Sequence, residues 1–139
     1  MPDKVLYTAE ATSTGDGRNG HVVSSDNRLD LDLALPAEMG GSGNGTNPEQ
    51  LFAAGYSACF HNALRLVARR AGVDPGESTV TAQVGIGPEG EAYGIAVTLV
   101  IAIPGLDREK TREIAEAAHH VCPYSRATRG NISVELRVP

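Results

Sequence analysis

Two cysteines stand in this chain of 139 residues: Cys59 inside an apolar helical run, and Cys122 in the segment Val121-Cys122-Pro123-Tyr124-Ser125. A thiol attacks as its thiolate. At an ordinary pKa near 8.5 only about 3% is ionised at pH 7, so a working nucleophile needs a cation or a helix N-terminus beside it. Arg18, in the glycine-flanked turn Asp16-Gly17-Arg18-Asn19-Gly20, is a candidate cation, and Glu49 is a carboxylate able to fix the planar guanidinium fork.

Other chemistries compete for the same residues. Cys59, His61, His119, His120 and Cys122 carry the thiolate and imidazole ligands zinc favours. Spacing opposes that set, because residues 59 and 61 project about 200° apart on a helix, whereas 119 and 122 share a face. A Cys-His hydrolase would use Cys59 as nucleophile and His119 or His120 as base, which leaves Cys122 without a role. Both cysteines could also be small buried hydrophobes in an interaction module, or the thiols of a redox sensor that oxidises stoichiometrically without turnover.

Composition narrows the setting. The N-terminus Met1-Pro2-Asp3-Lys4-Val5-Leu6-Tyr7 lacks the charged and apolar regions of a signal peptide, and no segment approaches the roughly 18 apolar residues of a membrane span. The expected location is a cytoplasm that keeps thiols reduced. One domain, 1–139, is expected, burying roughly 65–70% of its unfolded surface without a disulfide staple. A net charge of −5, scattered basic residues, no Trp and two Phe argue against nucleic acid and anionic membrane partners. Arg65, Arg69 and Arg70 read as a solvated face near a helix C-terminus.

The elements that must position the thiols follow from hydrophobic period. Leu29, Leu31, Leu33 and Leu35 alternate with polar or small residues as a strand would, and Val5 to Ala11 and His21 to Ser24 are weaker strands joined by a turn. The first third thus predicts an antiparallel meander. The glycine-rich stretch from Pro36 to Pro48 lacks the Lys-Ser/Thr ending of a phosphate loop and reads as a mobile loop. Asn47 as N-cap and Pro48 at the first helical position open a helix running to about Ala71, closed by Gly72. Strands near 79–86 and 93–103, a helix after Asp107 and a final strand through Ile132, Val134, Leu136 and Val138 complete the order βββ-α-ββ-α-β, an α+β fold.

Longer words in the sequence then add to its periods. The run from Gly45 to Phe60, Gly-Thr-Asn-Pro-Glu-Gln-Leu-Phe-Ala-Ala-Gly-Tyr-Ser-Ala-Cys-Phe, resembles the signature around the reactive cysteine of the organic hydroperoxide resistance proteins, within the OsmC-like family. Val121-Cys122-Pro123-Tyr124-Ser125, followed by Ala127-Thr128-Arg129-Gly130-Asn131-Ile132, resembles their second-cysteine motif, and Asp16-Gly17-Arg18 and Leu29-Asp30-Leu31 fall where their N-terminal strands lie. The resemblance spans nearly the whole chain, with His61-Asn62-Ala63 a less typical stretch.

The resemblance implies an OsmC-like fold of antiparallel sheets wrapped around two main helices, in an intertwined homodimer with two sites at the subunit interface. It implies a thiol peroxidase for organic hydroperoxides, with Cys59 peroxidatic, Cys122 resolving, and Arg18 and Glu49 as the activating pair. The implied reductant is a dihydrolipoyl group on a lipoylated protein, with no metal, flavin or haem. One difficulty is geometric. Ten residues of straight helix put Glu49 about 15 Å from Cys59 and some 80° out of line, so the sequence reading expects a break near Gly55 or a glutamate delivered across the dimer.

Overall fold

The first third of the chain forms an antiparallel meander, β1 (Ala11–Thr14), β2 (His21–Ser24) and β3 (Asp30–Asp32), in the order β1-β2-β3. The structure is a computed structural model describing residues 1–139, which gather into two units, Met1–Pro48 and Glu49–Pro139.

Within the first unit the strands are shorter than their alternation predicts. Residues 5–10 form no strand, and the leucine-alternating segment ladders only over Asp30–Asp32. Beyond it the backbone changes partner: Leu33 forms a parallel bridge with Thr46, and Pro36 redirects the chain into a 3-10 turn, Ala37–Met39. The glycine-rich stretch is tied down along its length, with amides of Gly41, Gly43 and Thr46 donating to the carbonyls of Pro36, Leu35 and Asp32. Close approach matters at Gly45, where a Cβ would stand 2.7 Å from the Asp32 carbonyl oxygen.

The second unit is built on α1 (Pro48–Arg70), which opens directly after Asn47 as its capping sequence predicts. Its apolar face repeats at helical spacing, and Tyr56, Phe60, Leu64 and Ala68 are wholly buried. The C-terminus closes in a Schellman motif. Gly72 adopts φ +75° and donates to the Arg69 carbonyl, while the Val73 amide reaches back to Ala68.

A hairpin of β4 (Thr79–Glu89) and β5 (Ala92–Ala102) turns over Gly90-Glu91, and β6 (Val134–Arg137) adds parallel to β5, giving the order β4-β5-β6. Val97, Leu99 and Ile101 on one face of β5 are buried in the same cluster as the α1 residues. Each such side chain contributes roughly 1.5–3 kcal/mol through burial. The other face, with Thr98, Val100 and Ala102, is only half covered and Ala96 is exposed, so β5 is not sandwiched on both sides within this chain.

Helix α2 (Arg108–Val121) is capped by Asp107, whose carboxylate accepts from the Lys110 amide. A further short helix, α3 (Pro123–Thr128), follows Cys122, an element absent from the expected order βββ-α-ββ-α-β. The fold is α+β, with three helices and two three-stranded sheets.

Candidate active site

Cys59 and Cys122, 63 residues apart in sequence, meet in the second unit with their sulfurs 3.8 Å apart and the Cys122 thiol donating to Cys59. Both are free thiols, Cys59 half-buried and Cys122 fully buried. Helix α1 supplies Cys59 on the flank of its apolar stripe. Cys122 occupies the junction of two helices: its amide donates to the Ala118 carbonyl at the end of α2, and its carbonyl accepts from the Arg126 amide of α3. Pro123 suits the first position of α3 because that residue needs no amide hydrogen.

Opposed influences act on the Cys59 thiol. Burial pushes its pKa up, and the nearby Cys122 sulfur adds to the rise, while a hydrogen bond from the Tyr124 amide pulls it down. Burial dominates, so these groups alone leave less thiolate at neutral pH than a solvated cysteine would have. No imidazole is a hydrogen-bond partner of Cys59.

The histidines are engaged elsewhere. His61 Nε2 lies 3.0 Å from Ser78 Oγ, to which Arg65 also donates, tying α1 to the start of β4. Burial, then the Arg65 charge, holds its pKa down. His119 Nδ1 shares a 2.8 Å hydrogen bond with Ser125 Oγ, and its pKa is lowered by burial and then by Arg129 and His120.

Apart from His119, weighed as a zinc ligand or a hydrolase base, sequence reasoning assigned no role to the polar chain behind the thiols. Ser125 Oγ also lies 2.8 Å from the Tyr56 hydroxyl, which is 3.3 Å from Thr128 Oγ1. Ser125 and Thr128 form the buried face of α3, so this helix is anchored by polar groups instead of a greasy stripe. That is why hydrophobic period could not reveal it. The available signal was Pro123 just after Cys122, a helix-opening position.

Tyr124 links the thiols to an apolar hollow. Its ring packs among Phe52 and Tyr56, with centroids 6.2 and 5.6 Å away. It lies so close over Gly55 that a Cβ there would stand 2.7 Å from the tyrosine oxygen. The same ring walls a cavity of about 350 Å³ lined also by Phe52, Ile95, Ala127 and Ile132. A second hollow of about 250 Å³, at Ile101–Leu106 and Val138, shares no residue with the thiols.

Glu49 lies half-buried in the first turn of α1. The helix runs without interruption from Pro48 to Arg70, so the expected break near Gly55 does not occur: the glycine accommodates Tyr124 without interrupting the helix. Glu49 and Cys59 therefore keep the roughly 15 Å separation of ten helical residues. Arg18 belongs to the first unit, exposed in a 3-10 turn, Gly17–Asn19.

A thiol pair between the middle of a long helix and the junction of two shorter ones, in a unit with a β-hairpin and a parallel third strand, has clear counterparts. Residues 41–137 match the model of the OsmC-like protein family. The chain belongs to that family, in its organic hydroperoxide resistance branch. It is 55% identical over 137 residues to the organic hydroperoxide resistance protein of Xanthomonas axonopodis pv. citri, covering 97% of this chain and 96% of that one. It is 47% identical to OhrB of Bacillus subtilis over 135 residues, with 96% and 98% covered. Among solved structures, a putative organic hydroperoxide resistance protein of Vibrio cholerae, with captopril bound in one of its active sites, superposes with a TM-score of 0.92 at 50% identity, covering 99% and 95% of the two chains. The Bacillus subtilis OhrB structure gives 0.88 at 46%, covering 97% and 100%.

Proposed function

We propose that this protein is a cysteine-based peroxidase that reduces organic hydroperoxides, alkyl and fatty-acid, to alcohols. The observation that carries the proposal is the pair of thiols at 3.8 Å, the half-exposed one on α1 and the buried one at a helix junction. The names and close similarity of the organic hydroperoxide resistance relatives support a role in peroxide defence.

In this reading the Cys59 thiolate attacks one peroxide oxygen, the O–O bond breaks, and the alkoxide takes up a proton to leave as the alcohol. Cys59 becomes a sulfenic acid. The Cys122 sulfur then attacks it, forming the Cys59–Cys122 disulfide and releasing water before further oxidation becomes irreversible. The sulfurs need to close from 3.8 Å to about 2.05 Å, a short movement for a residue held at a helix junction. Two electrons from a dihydrolipoyl dithiol on a lipoylated protein return both cysteines to thiols and leave the lipoyl disulfide.

Burial raises the Cys59 pKa, so the reaction needs a cation. Arg18 is assigned that role, stabilising first the thiolate and then the developing alkoxide, with Glu49 fixing its guanidinium. An unbroken α1 leaves delivery of Glu49 across a homodimer as the remaining version of the sequence reading. A dimer is supported by the first unit, whose buried apolar residues are only Leu33 and Ala34 while Val5, Leu6 and Tyr7 are exposed. The apolar cavity beside Tyr124 suits a greasy peroxide, each buried methylene adding about 0.8 kcal/mol. The chemistry requires no resident metal, flavin or haem, and it suits a reducing cytoplasm. No helix is long and apolar enough to cross a membrane.

Multiple-turnover reduction of an alkyl hydroperoxide driven by dihydrolipoamide tests this reading, with hydrogen peroxide and glutathione or thioredoxin systems alongside. Fast turnover with the first pair is expected. Stoichiometric oxidation without turnover would favour a redox sensor instead.

A further inference from the structure

His21 in β2 is gripped on both edges of its ring. Nδ1 lies 2.8 Å from Asp32 Oδ1 and Nε2 lies 2.6 Å from Asp30 Oδ1, both on β3. Asp32 is the register partner of His21, and Asp30 is the next residue on the same strand face. An ionised carboxylate only accepts hydrogen bonds. Both contacts are therefore complete only when both ring nitrogens carry hydrogen, which makes the ring an imidazolium. A neutral ring would turn a lone pair toward one carboxylate.

The same end of the hairpin carries the Arg18 turn. Gly20 directly precedes His21, and its carbonyl accepts from the Leu33 amide at 2.9 Å. Asn19 Oδ1 accepts from the Leu35 amide at 3.1 Å. The turn Gly17–Asn19 is thus pinned to the chain leaving β3, and the β2–β3 register that His21 fastens sets where that turn stands. Opposite His21 on β1 is uncharged Thr14. The charged side chains of the connecting turn are Asp16 and Arg18, and those facing from β3 are Asp30 and Asp32.

We propose that His21, clamped as a cation between Asp30 and Asp32, is a positioning residue that sets the Arg18 turn and makes its placement dependent on pH. The consequence for catalysis rests on the assignment of Arg18 to the thiol chemistry; the clamp itself does not. The two carboxylates raise the His21 pKa above its ordinary value. The clamp is complete below the ordinary histidine range near 6.5 and is lost as pH rises through the raised value. Both aspartates are well exposed, so added salt weakens it.

The test titrates the imidazoles of the reduced, full-length protein by NMR, in wild type and in Asp30→Asn/Asp32→Asn, and follows amide exchange of residues 17–20. One imidazole, assigned to His21 by its loss in His21→Gln, should titrate above the ordinary range and fall back toward it in the double variant. Amide exchange in the turn should accelerate, beyond the intrinsic base-catalysed rate, across the same titration. In parallel, kcat/KM for an alkyl hydroperoxide should be several-fold higher in wild type than in His21→Gln below that titration, the ratio approaching one above it. An ordinary His21 pKa in wild type, or a ratio constant with pH, would overturn the proposal. Clamping seen by NMR in a chain with no peroxidase activity in any form would support the clamp and fault the peroxidase reading.

Discussion

Cys59 stands where burial and a single backbone hydrogen bond compete over its proton, and burial prevails. With Arg18 offsetting that rise, as proposed, the rate of peroxide attack should level off below the ordinary thiol range. Replacing Arg18 with Ala should move the rise into and beyond that range, measured as thiolate absorbance and as the pH profile of kcat/KM. The reaction partners are tested by substitution. Cys59→Ser should abolish peroxide consumption, whereas Cys122→Ser should consume one equivalent and stall. His61 and His119 add a pH dependence of opposite sign to that of His21. Their folded pKa values are lowered, so the stability they contribute is present above about 6.5 and is lost as pH falls through the lowered values. His119→Gln should blunt this acid loss of stability, followed by thermal melts across pH 5 to 7 as a rough window set by the histidine range. Cys59 and Cys122 were legible in the sequence through their motifs. Tyr124 stood in the quoted motif, but its contribution through a main-chain amide leaves no trace in side-chain chemistry.

At the scale of elements, the long helix and the β4–β5 hairpin were legible because apolar period, N-cap sequence and glycine stop all agree over many residues. The first strands were overextended by the same reasoning. Alternation from Leu29 to Leu35 continues after the ladder has ended, since Leu33 and Leu35 are covered while their amides donate to the Gly20 carbonyl and the Asn19 side chain, outside β2. Helix α3 was missed because polar residues fill its buried face. That polar anchoring gives a direct prediction: Tyr56→Phe removes the hydroxyl that Ser125 and Thr128 share and should cost about 1 kcal/mol. The matching fall in Tm is roughly 3–6 °C. Disulfide formation should slow as well, since the helix bearing Cys122 loses its fastening to α1. Gly55→Ala should displace the Tyr124 ring, altering the cavity wall and selectivity between long and short alkyl peroxides.

The whole molecule has an asymmetry of burial that the sequence did not announce. The second unit holds a continuous core from Tyr56 through Leu99 to Ala118, whereas the first has almost none and leaves an apolar N-terminal segment in solvent. A marginal unit of about 48 residues gains stability by covering such a segment, which is the physical case for the proposed homodimer. Sedimentation of the intact chain should show a dimer, and removal of residues 1–10 should weaken it. The central claim concerns two sulfurs. Its most direct test adds one equivalent of an alkyl hydroperoxide to the reduced protein and maps the products by mass spectrometry. The account predicts a Cys59–Cys122 disulfide in wild type and, in Cys122→Ser, a sulfenic acid confined to Cys59. Oxidation arising first at Cys122, or peroxide left intact beside two reduced thiols, would contradict it.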